Sequence, residues 1–390
     1  MESRFEVELT LEEVTDLPGE SYVLIDTRDE ASFEYDTMPG AVHVPELMEK
    51  AKSHALDKAW EDKKLVLFCM RGFESRDMAE TLREYGYLAY SLHDGFAGFI
   101  RSNLEREDRS EAIEKSLRSR HFHETLFSPF ARAVRDYALV NEGDRIAVCI
   151  SGGKDSMLMA KLFQELERCR KVNFSLKFLV MDPGYNELNR LVIEKNARQM
   201  GIPITIFEST IFDTVDNLGS RACYTCARMR RGYLYKEAQS LGCNKIALGH
   251  HFDDVIETIL MGMLWGGQFQ TMMPKLHAEH WEGMELIRPM YYVRESDIRA
   301  WRDSQGLHFI QCACHFTDTC SSCRDDGVPV SKRMETKLLI RKLRETNPAV
   351  ESNIFHASEC VNLATVLGYR QDGEKHSFLQ DYDGPQGRNA

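Results

Sequence analysis

No stretch of the sequence reaches the roughly 18 consecutive apolar residues that a membrane-crossing helix needs, so no transmembrane segment is expected. The first residues, Met1-Glu2-Ser3-Arg4-Phe5-Glu6-Val7-Glu8, are acidic and hold no apolar signal core. Secretion is therefore not expected; a cytoplasmic protein with no membrane partner is. Positive charge is also short: 49 Lys and Arg stand against 61 Asp and Glu, a formal net charge of −12 at pH 7. Taken alone, that balance argues against a general polyanion binder. No internal repeat is visible.

The average conceals a split. Residues 1–100 hold 10 basic and 22 acidic side chains, whereas the other 290 residues balance at 39 of each. All the excess negative charge sits in the first quarter, which predicts two differently charged modules. A length of 390 residues suits two or three domains, each long enough to bury a core.

Tyr22-Val23-Leu24-Ile25-Asp26 and Leu65-Val66-Leu67-Phe68-Cys69 are short apolar runs, the second followed by helix-like sequence from Ser75 to Tyr85. The alternation predicts an α/β domain with a parallel sheet. The charge-crowded stretch from Arg101 to Arg120 reads as a solvated helix or a linker, and we place the boundary there. A second α/β pattern follows. Arg145 to Ile150, Leu176 to Met181 and Lys245 to Leu248 are strand candidates, and Met157 to Arg168 is helix-like. The expected domains are 1–105, a linker at 106–120, 121–370, and a flexible tail at 371–390.

Eleven cysteines remain to be explained. In a chain without a secretion signal, disulfides are the weaker explanation. The pairs Cys223/Cys226 and Cys320/Cys323 point instead to metal or sulfur chemistry. Cys149, Cys169, Cys243 and Cys360 need no function, since a buried cysteine behaves as a small hydrophobe. Cys312 and Cys314 fit no pattern; a core role and a sulfur-relay role are both open, the core role being the simpler.

Cys69 ends an apolar strand and opens the turn Cys69-Met70-Arg71-Gly72-Phe73-Glu74-Ser75. A sulfur there faces backbone N–H groups and a helix N-terminus, both of which stabilise a thiolate or a terminal persulfide anion. A buried strand-end cysteine is the plain alternative. Together with Ile25-Asp26-Thr27-Arg28 and Met38-Pro39-Gly40-Ala41-Val42-His43-Val44-Pro45, the loop resembles the rhodanese domain over about 100 residues. The resemblance implies a Cys69 persulfide that carries sulfane sulfur. Many rhodanese loops carry a second basic residue where Glu74 stands. That departure disfavours a small dianion such as thiosulfate and favours delivery from a sulfur donor protein such as a cysteine desulfurase.

Ser151-Gly152-Gly153-Lys154-Asp155-Ser156 lies between a strand and a helix. Its glycines let backbone N–H groups approach phosphate, and Lys154 adds a positive charge. The spacing is not the Walker pattern, so a generic kinase or ATPase is disfavoured. The hexapeptide resembles the PP-loop of ATP pyrophosphatases, which adenylate a carbonyl oxygen and release pyrophosphate. Asp182, Gly249 and His250 join the expected ATP site. Asp253 and Asp254 follow in Ala247-Leu248-Gly249-His250-His251-Phe252-Asp253-Asp254, and Asp254 is the expected Mg²⁺ ligand and catalytic carboxylate. Helix capping explains the same two aspartates.

Two CxxC pairs supply four thiolates to a structural zinc, or three thiolates to an iron–sulfur cluster with one open iron; spacing leaves both open. The sequence from Cys223 through Leu260, then Met273-Pro274-Lys275-Leu276 and Ile287-Arg288-Pro289-Met290, resembles the tRNA 2-thiocytidine synthetase family over about residues 120–365. That resemblance implies a 4Fe–4S cluster on Cys223, Cys226 and Cys323, with Cys320 in reserve for the third ligand. It also implies thiolation of a tRNA cytidine, the one at position 32.

Arg221, Arg228, Arg230, Arg231 and Lys236 crowd the first pair, and Lys332, Arg333, Lys337, Arg341, Lys342 and Arg344 follow the second. Such clusters contact RNA phosphates while an aromatic such as Tyr233 or Trp265 stacks on a base. A solvated helix face explains the later run nearly as well. The expected protein is thus a rhodanese-like domain followed by a doubly wound, parallel-sheet PP-loop domain of the adenine nucleotide alpha hydrolase-like fold. It would act as an ATP-dependent tRNA sulfurtransferase, with the Cys69 persulfide and the cluster as sulfur relay. Partners are tRNA, the sulfur donor protein and a second copy in a homodimer. The alternatives are thiolation of another base or a small molecule, or a zinc-bound RNA-binding or sulfur-carrier protein without ATP turnover.

Overall fold

The structure is a computed structural model that describes residues 7–104, 109–209, 211, 222–310, 332–380 and 382, without the side chains of 222–228. The chain divides into two compact units, Met1–Phe252 with Pro274–Val330, and Asp253–Met273 with Ser331–Ala390.

The first unit holds two sheets. In the first, β1 (Glu8–Leu9), β2 (Tyr22–Asp26), β3 (Val42–His43), β4 (Lys64–Phe68) and β5 (Ala89–Leu92) run parallel in the order β1-β5-β4-β2-β3. Strand β4 is apolar and buried from Leu65 to Phe68 because both its faces are covered there. Val66 and Phe68 point into one core, and Leu65 and Leu67 into another on the opposite face. The second sheet contains β6 (Arg145–Ile150), β7 (Ser175–Asp182), β8 (Ile204–Glu208), β9 (Lys245–Ala247), β10 (Lys275–His277) and β11 (Glu285–Ile287). Its order is β10-β11-β9-β6-β7-β8, parallel except for the β10–β11 pair. Strand β6 alternates in the same way, sending Ile146, Val148 and Ile150 one way and Ala147 and Cys149 the other. After β6 the chain moves to one side through β7 and β8, then returns to the other side with β9. The carboxyl ends of β6 and β9 are therefore the topological switch point, the place at which doubly wound sheets bind ligands.

One continuous apolar core serves both sheets of this unit. Val66, Phe68 and Leu92 share it with Ile146, Val148 and Ile150. The boundary segment takes part. The helix Gly95–Leu104 contributes Phe96, Ile100 and Leu104 to this core. Residues 110–117, within the stretch read as a linker, form the helix Ser110–Leu117 with Ile113 and Leu117 buried. The two apolar residues lie one turn apart and make the buried stripe, while the charges occupy the other faces. Some of those charges are committed: Glu114 pairs with Lys161 at 3.1 Å and Arg118 with Glu165 at 3.1 Å.

The second unit contains most of the helix Phe252–Leu264, the helices Lys332–Thr346 and Val350–Glu359, and a hairpin of β12 (Gly368–Gln371) and β13 (Glu374–Ser377). The hairpin runs across residue 371, where the flexible tail is expected to start. Its two-residue turn, Asp372-Gly373, takes positive φ at both positions, +50° and +84°, as a tight turn of right-twisted strands requires. Residues 383–390 lie outside the described residues. No helix among the described residues is long and apolar enough to cross a membrane.

If Ile113 belongs to the shared core, Ile113→Ala lowers the unfolding free energy by about 2–5 kcal/mol, read from urea denaturation. A solvated linker position would give a change within about 0.5 kcal/mol.

Candidate functional site

The loop 151–156 leaves the carboxyl end of β6 and becomes the helix Lys154–Arg168. Gly152 sits at φ +85°, and a Cβ there would lie 2.5 Å from Ile193 Cγ1 and 2.7 Å from Ile310 Cδ1. Glycine is required on both counts. The loop is tied across its own turn: the Ser156 hydroxyl accepts from Ser151 N–H at 3.1 Å and donates to the Gly153 carbonyl at 3.0 Å. The turn after β9 presses on the same helix start, since a Cβ on Gly249 would be 3.2 Å from Ser156 N. Two of the expected ATP segments thus meet at the helix N-terminus, the arrangement that receives phosphate.

The charged residues of the loop have defined partners. Lys154 is 3% exposed, and its Nζ lies 3.2 Å from Asp155 Oδ2 and 3.3 Å from Glu295 Oε1. The other Asp155 oxygen, Oδ1, is buried and has no hydrogen bond among the described residues, with His251 Nε2 4.0 Å away. Asp182 ends β7, but its carboxylate is used locally. Oδ1 accepts from Gly184 N–H at 2.9 Å and Tyr185 N–H at 2.7 Å, and Oδ2 pairs with Arg190 at 2.8 Å. His250 Nδ1 accepts from Arg288 Nε at 3.3 Å.

In the second unit, Asp253 and Asp254 stand in the first turn of the helix Phe252–Leu264. Asp254 Oδ1 meets Arg333 Nη2 at 2.5 Å, and Arg333 Nε reaches Glu257 at 2.7 Å. Burial pushes the Glu257 carboxyl up, and the Arg333 guanidinium opposes that rise. Arg333 is therefore engaged within the protein, as is Arg344, 3.7 Å from Glu351. Lys342 is exposed, and Lys332 Nζ sits 5.4 Å from the centre of the half-exposed Trp265 ring.

Cys69 follows β4 directly, at the N-terminus of the helix Phe73–Glu84. Its sulfur accepts from Gly72 N–H at 3.1 Å and from the Ser75 hydroxyl at 3.5 Å. Ser75 in turn shares a 2.9 Å hydrogen bond with Ser91. A Cβ on Gly95 would lie 2.4 Å from the Cys69 carbonyl, so the next βα turn closes against this loop. The thiol is 4% exposed, but Met70 and Phe73 beside it are 40% and 64% exposed and form an apolar rim. The Cys69 sulfur thus sits among hydrogen-bond donors at a helix start, beneath an exposed apolar rim.

Cys223 and Cys226 fall in the first turn of the helix Ala222–Ser240, three residues apart. Their side chains and that of Arg228 lie outside the described residues, as do Arg221, Cys312, Cys314, Cys320 and Cys323 in their entirety. Further along that helix, Arg231 and Lys236 are exposed and Arg230 is partly buried. Cys149 and Cys243 are buried together in the core under the same helix, and burial pushes the Cys149 thiol up to about 12. Such a thiol is no nucleophile near neutral pH. Among the described residues no group of three or more His, Cys, Asp or Glu is placed to hold a metal ion.

Sequence reasoning missed three neighbours of the nucleotide loop: Glu295, Ile310 and Tyr35. Tyr35 Oη donates to the Ile310 carbonyl at 2.8 Å, and its ring lies 5.0 Å from Lys154 Nζ. No motif could have found them, because each stands more than a hundred residues from the loop that it touches.

Comparisons with known proteins identify both domains. Residues 10–102 match the Rhodanese-like domain family and residues 123–315 the PP-loop domain family. A protein of Anaeromyxobacter dehalogenans (strain 2CP-C) called tRNA-cytidine(32) 2-sulfurtransferase is 35% identical over 262 residues, 66% of this chain and 85% of that one. One of the same name from Pelobacter propionicus is 31% identical over 277 residues, 70% of this chain and 99% of that one. The solved U34-tRNA thiolase NcsA from Methanococcus maripaludis with its 4Fe–4S cluster aligns at 20% identity and a TM-score of 0.47, over 60% of this chain and 77% of that one. On its sequence relatives, with 99% of one of them covered, the chain belongs to the tRNA-cytidine(32) 2-sulfurtransferase family, and it carries a rhodanese-like domain ahead of the PP-loop domain.

Proposed function

We propose that this chain thiolates the cytidine at position 32 of tRNA, with ATP as the activating substrate and Cys69 as the entry point for sulfur. The observation that carries the reading is the glycine turn at Gly152, closed by the Gly249 turn at the split between β6 and β9. It stands in a chain 31–35% identical to proteins named for that reaction.

The chemistry explains why one chain would need both sites. Oxide is a poor leaving group, so O2 of the cytidine first attacks the α-phosphorus of ATP and pyrophosphate departs. Sulfur then displaces AMP at C2. Backbone N–H groups of Gly153 and the first turn of the helix Lys154–Arg168 would take the phosphates, with Ser151 and Ser156 holding the turn. The unpartnered Asp155 Oδ1 fits an oxygen-seeking Mg²⁺, which would neutralise phosphate charge there. Asp254, the other candidate, would first have to part from Arg333. Cys223 and Cys226, near the start of the helix Ala222–Ser240, would hold a 4Fe–4S cluster, as the family resemblance implies. Cys323, with Cys320 in reserve, would complete the ligand set. When bound, such a cluster supplies an open iron that accepts sulfur. Arg228, Arg230, Arg231 and Lys236 on the same helix would meet RNA phosphates.

The N–H of Gly72 and the hydroxyl of Ser75 would hold a terminal sulfur on Cys69. The exposed Met70 and Phe73 would receive a donor protein, and Glu74 beside them would keep small dianions away. Cys69→Ala should lower thiolation with a persulfide-loaded donor protein by about 100-fold or more, as loss of a covalent carrier does. Activity with inorganic sulfide should stay within about two-fold of wild type by the same logic. Equal loss of both activities, in a variant that folds and holds its metal, would refute the relay. A second prediction separates iron from zinc. Protein purified without oxygen should contain iron and acid-labile sulfide and absorb broadly near about 400 nm. One zinc and no sulfide would overturn the cluster assignment.

A further inference from the structure

Tyr35 belongs to the rhodanese-like domain, at the last residue of the helix Glu30–Tyr35. That helix end is gripped by residues of the PP-loop domain. Arg302 donates to the Tyr35 carbonyl, Arg299 to the Glu34 carbonyl at 3.5 Å, and His308 meets Asp36 at 2.9 Å. So held, the Tyr35 side chain reaches the nucleotide loop. Its ring lies 5.0 Å from Lys154 Nζ, and its hydroxyl donates to the Ile310 carbonyl at 2.8 Å. The same hydroxyl is 3.7 Å from where a Gly153 Cβ would stand, and Ile310 Cδ1 packs on Gly152.

We propose that Tyr35 is a positioning residue of the nucleotide loop, supplied by the rhodanese-like domain to a site that the PP-loop domain does not complete alone. The proposal rests on the reading that this loop binds ATP. The ring fixes the Lys154 ammonium, already set between Asp155 and Glu295, by cation–π attraction in a largely dry setting. The hydroxyl anchors Ile310, and Ile310 walls the left-handed Gly152 turn, so the phosphate-facing N–H groups are held in place before ATP arrives. Burial and the Asp155 charge raise the Tyr35 phenol well above its ordinary range, so it remains a donor at any working pH. The arrangement also explains why an acidic sulfur-carrying module is joined here to a nucleotide-binding one: it forms part of the wall of the ATP site.

The test uses the full chain with Tyr35→Phe and Tyr35→Ala. Phe keeps the ring over Lys154 and removes the bond to Ile310; Ala removes both. ATP binding by calorimetry should weaken about 3- to 10-fold for Phe, the loss of one hydrogen bond. For Ala it should weaken about 30-fold or more, as the cation–π contact goes too. The KM for ATP should follow, while the KM for tRNA and persulfide loading of Cys69 stay at wild-type values. ATP affinity within two-fold of wild type in both variants overturns the positioning role and leaves the ATP reading standing. Tighter ATP binding also overturns it, because the phenol would then obstruct the loop. Parallel losses of ATP affinity, tRNA affinity and Cys69 loading assign Tyr35 to the fold and overturn it too. If the wild-type chain binds no ATP at all, both the proposal and the reading beneath it fall.

Discussion

A backbone that leaves no room for a side chain shapes both chemical loops of this protein. Gly72 and Gly152 each take φ near +85°, each in the turn between a buried parallel strand and the helix that follows it. In both, a second turn closes on the first: Gly95 on the Cys69 carbonyl, and Gly249 on the start of the helix Lys154–Arg168. A parallel strand delivers its last residue to the sheet edge, and the left-handed glycine turns the chain so sharply that the following helix aims its free N–H groups back at that point. Under the proposed function, a persulfide on Cys69 and the phosphates at the 151–156 loop would both bring negative charge to such a turn, and the same backbone device would serve both.

The strands that set up these turns hold their register through alternation. A one-residue slip of β4 would move Val66 and Phe68 out of the core that they share with β6. It would also shift Cys69 away from Gly72 N–H. Stability and chemistry are coupled here at the level of individual residues, and the shared core extends that coupling across the domain boundary. Buried ion pairs support the junction. Lys161, almost fully buried, reaches Glu114 and the Met200 carbonyl. Burial lowers its affinity for a proton, and Glu114 opposes the shift. Such a pair stabilises little by itself, yet losing one partner would leave a charge stranded in the core. It is a constraint on how the helix Ser110–Leu117 sits.

Much of this was legible in one dimension. The apolar runs at 22–26, 65–69 and 145–150 became β2, β4 and β6 within a residue, because strands buried on both faces must be continuously apolar. The 69–75 and 151–156 loops were legible because chemistry at a strand end needs glycine and a few polar residues in fixed order. The burial of the boundary helix was not. Its two buried residues, Ile113 and Leu117, are outnumbered by charges whose partners lie about fifty residues away. The hairpin at 368–377 carried a plain signal in Asp372-Gly373, but its strands are mostly polar and exposed, so no hydrophobic period marked them. Lys154 shows the limit most clearly. Its place in the loop was evident, whereas its burial between Asp155, Glu295 and Tyr35 depends on chain segments that only folding brings together.

The charge split takes on a different meaning once those segments are in place. The 22 acidic residues in the first hundred read from sequence as a separately charged module. Part of that charge, however, faces the domain that follows it. Asp36 meets His308, and the backbone carbonyls of Glu34 and Tyr35 receive Arg299 and Arg302. Asp26 is fully committed inside the module, held by Arg28 and the Thr37 hydroxyl, and Arg28 also binds the Asp36 carbonyl. A chain of polar contacts thus runs from β2 of the first sheet through Arg28 and Asp36 to His308, two residues before the Ile310 carbonyl that Tyr35 grips. Carboxylates and carbonyls on one side and guanidinium or imidazole on the other give such a junction direction and register, which apolar packing alone does not supply. At this junction one carboxylate, Asp36, and the backbone carbonyls of Glu34 and Tyr35 set the first module against the nucleotide loop.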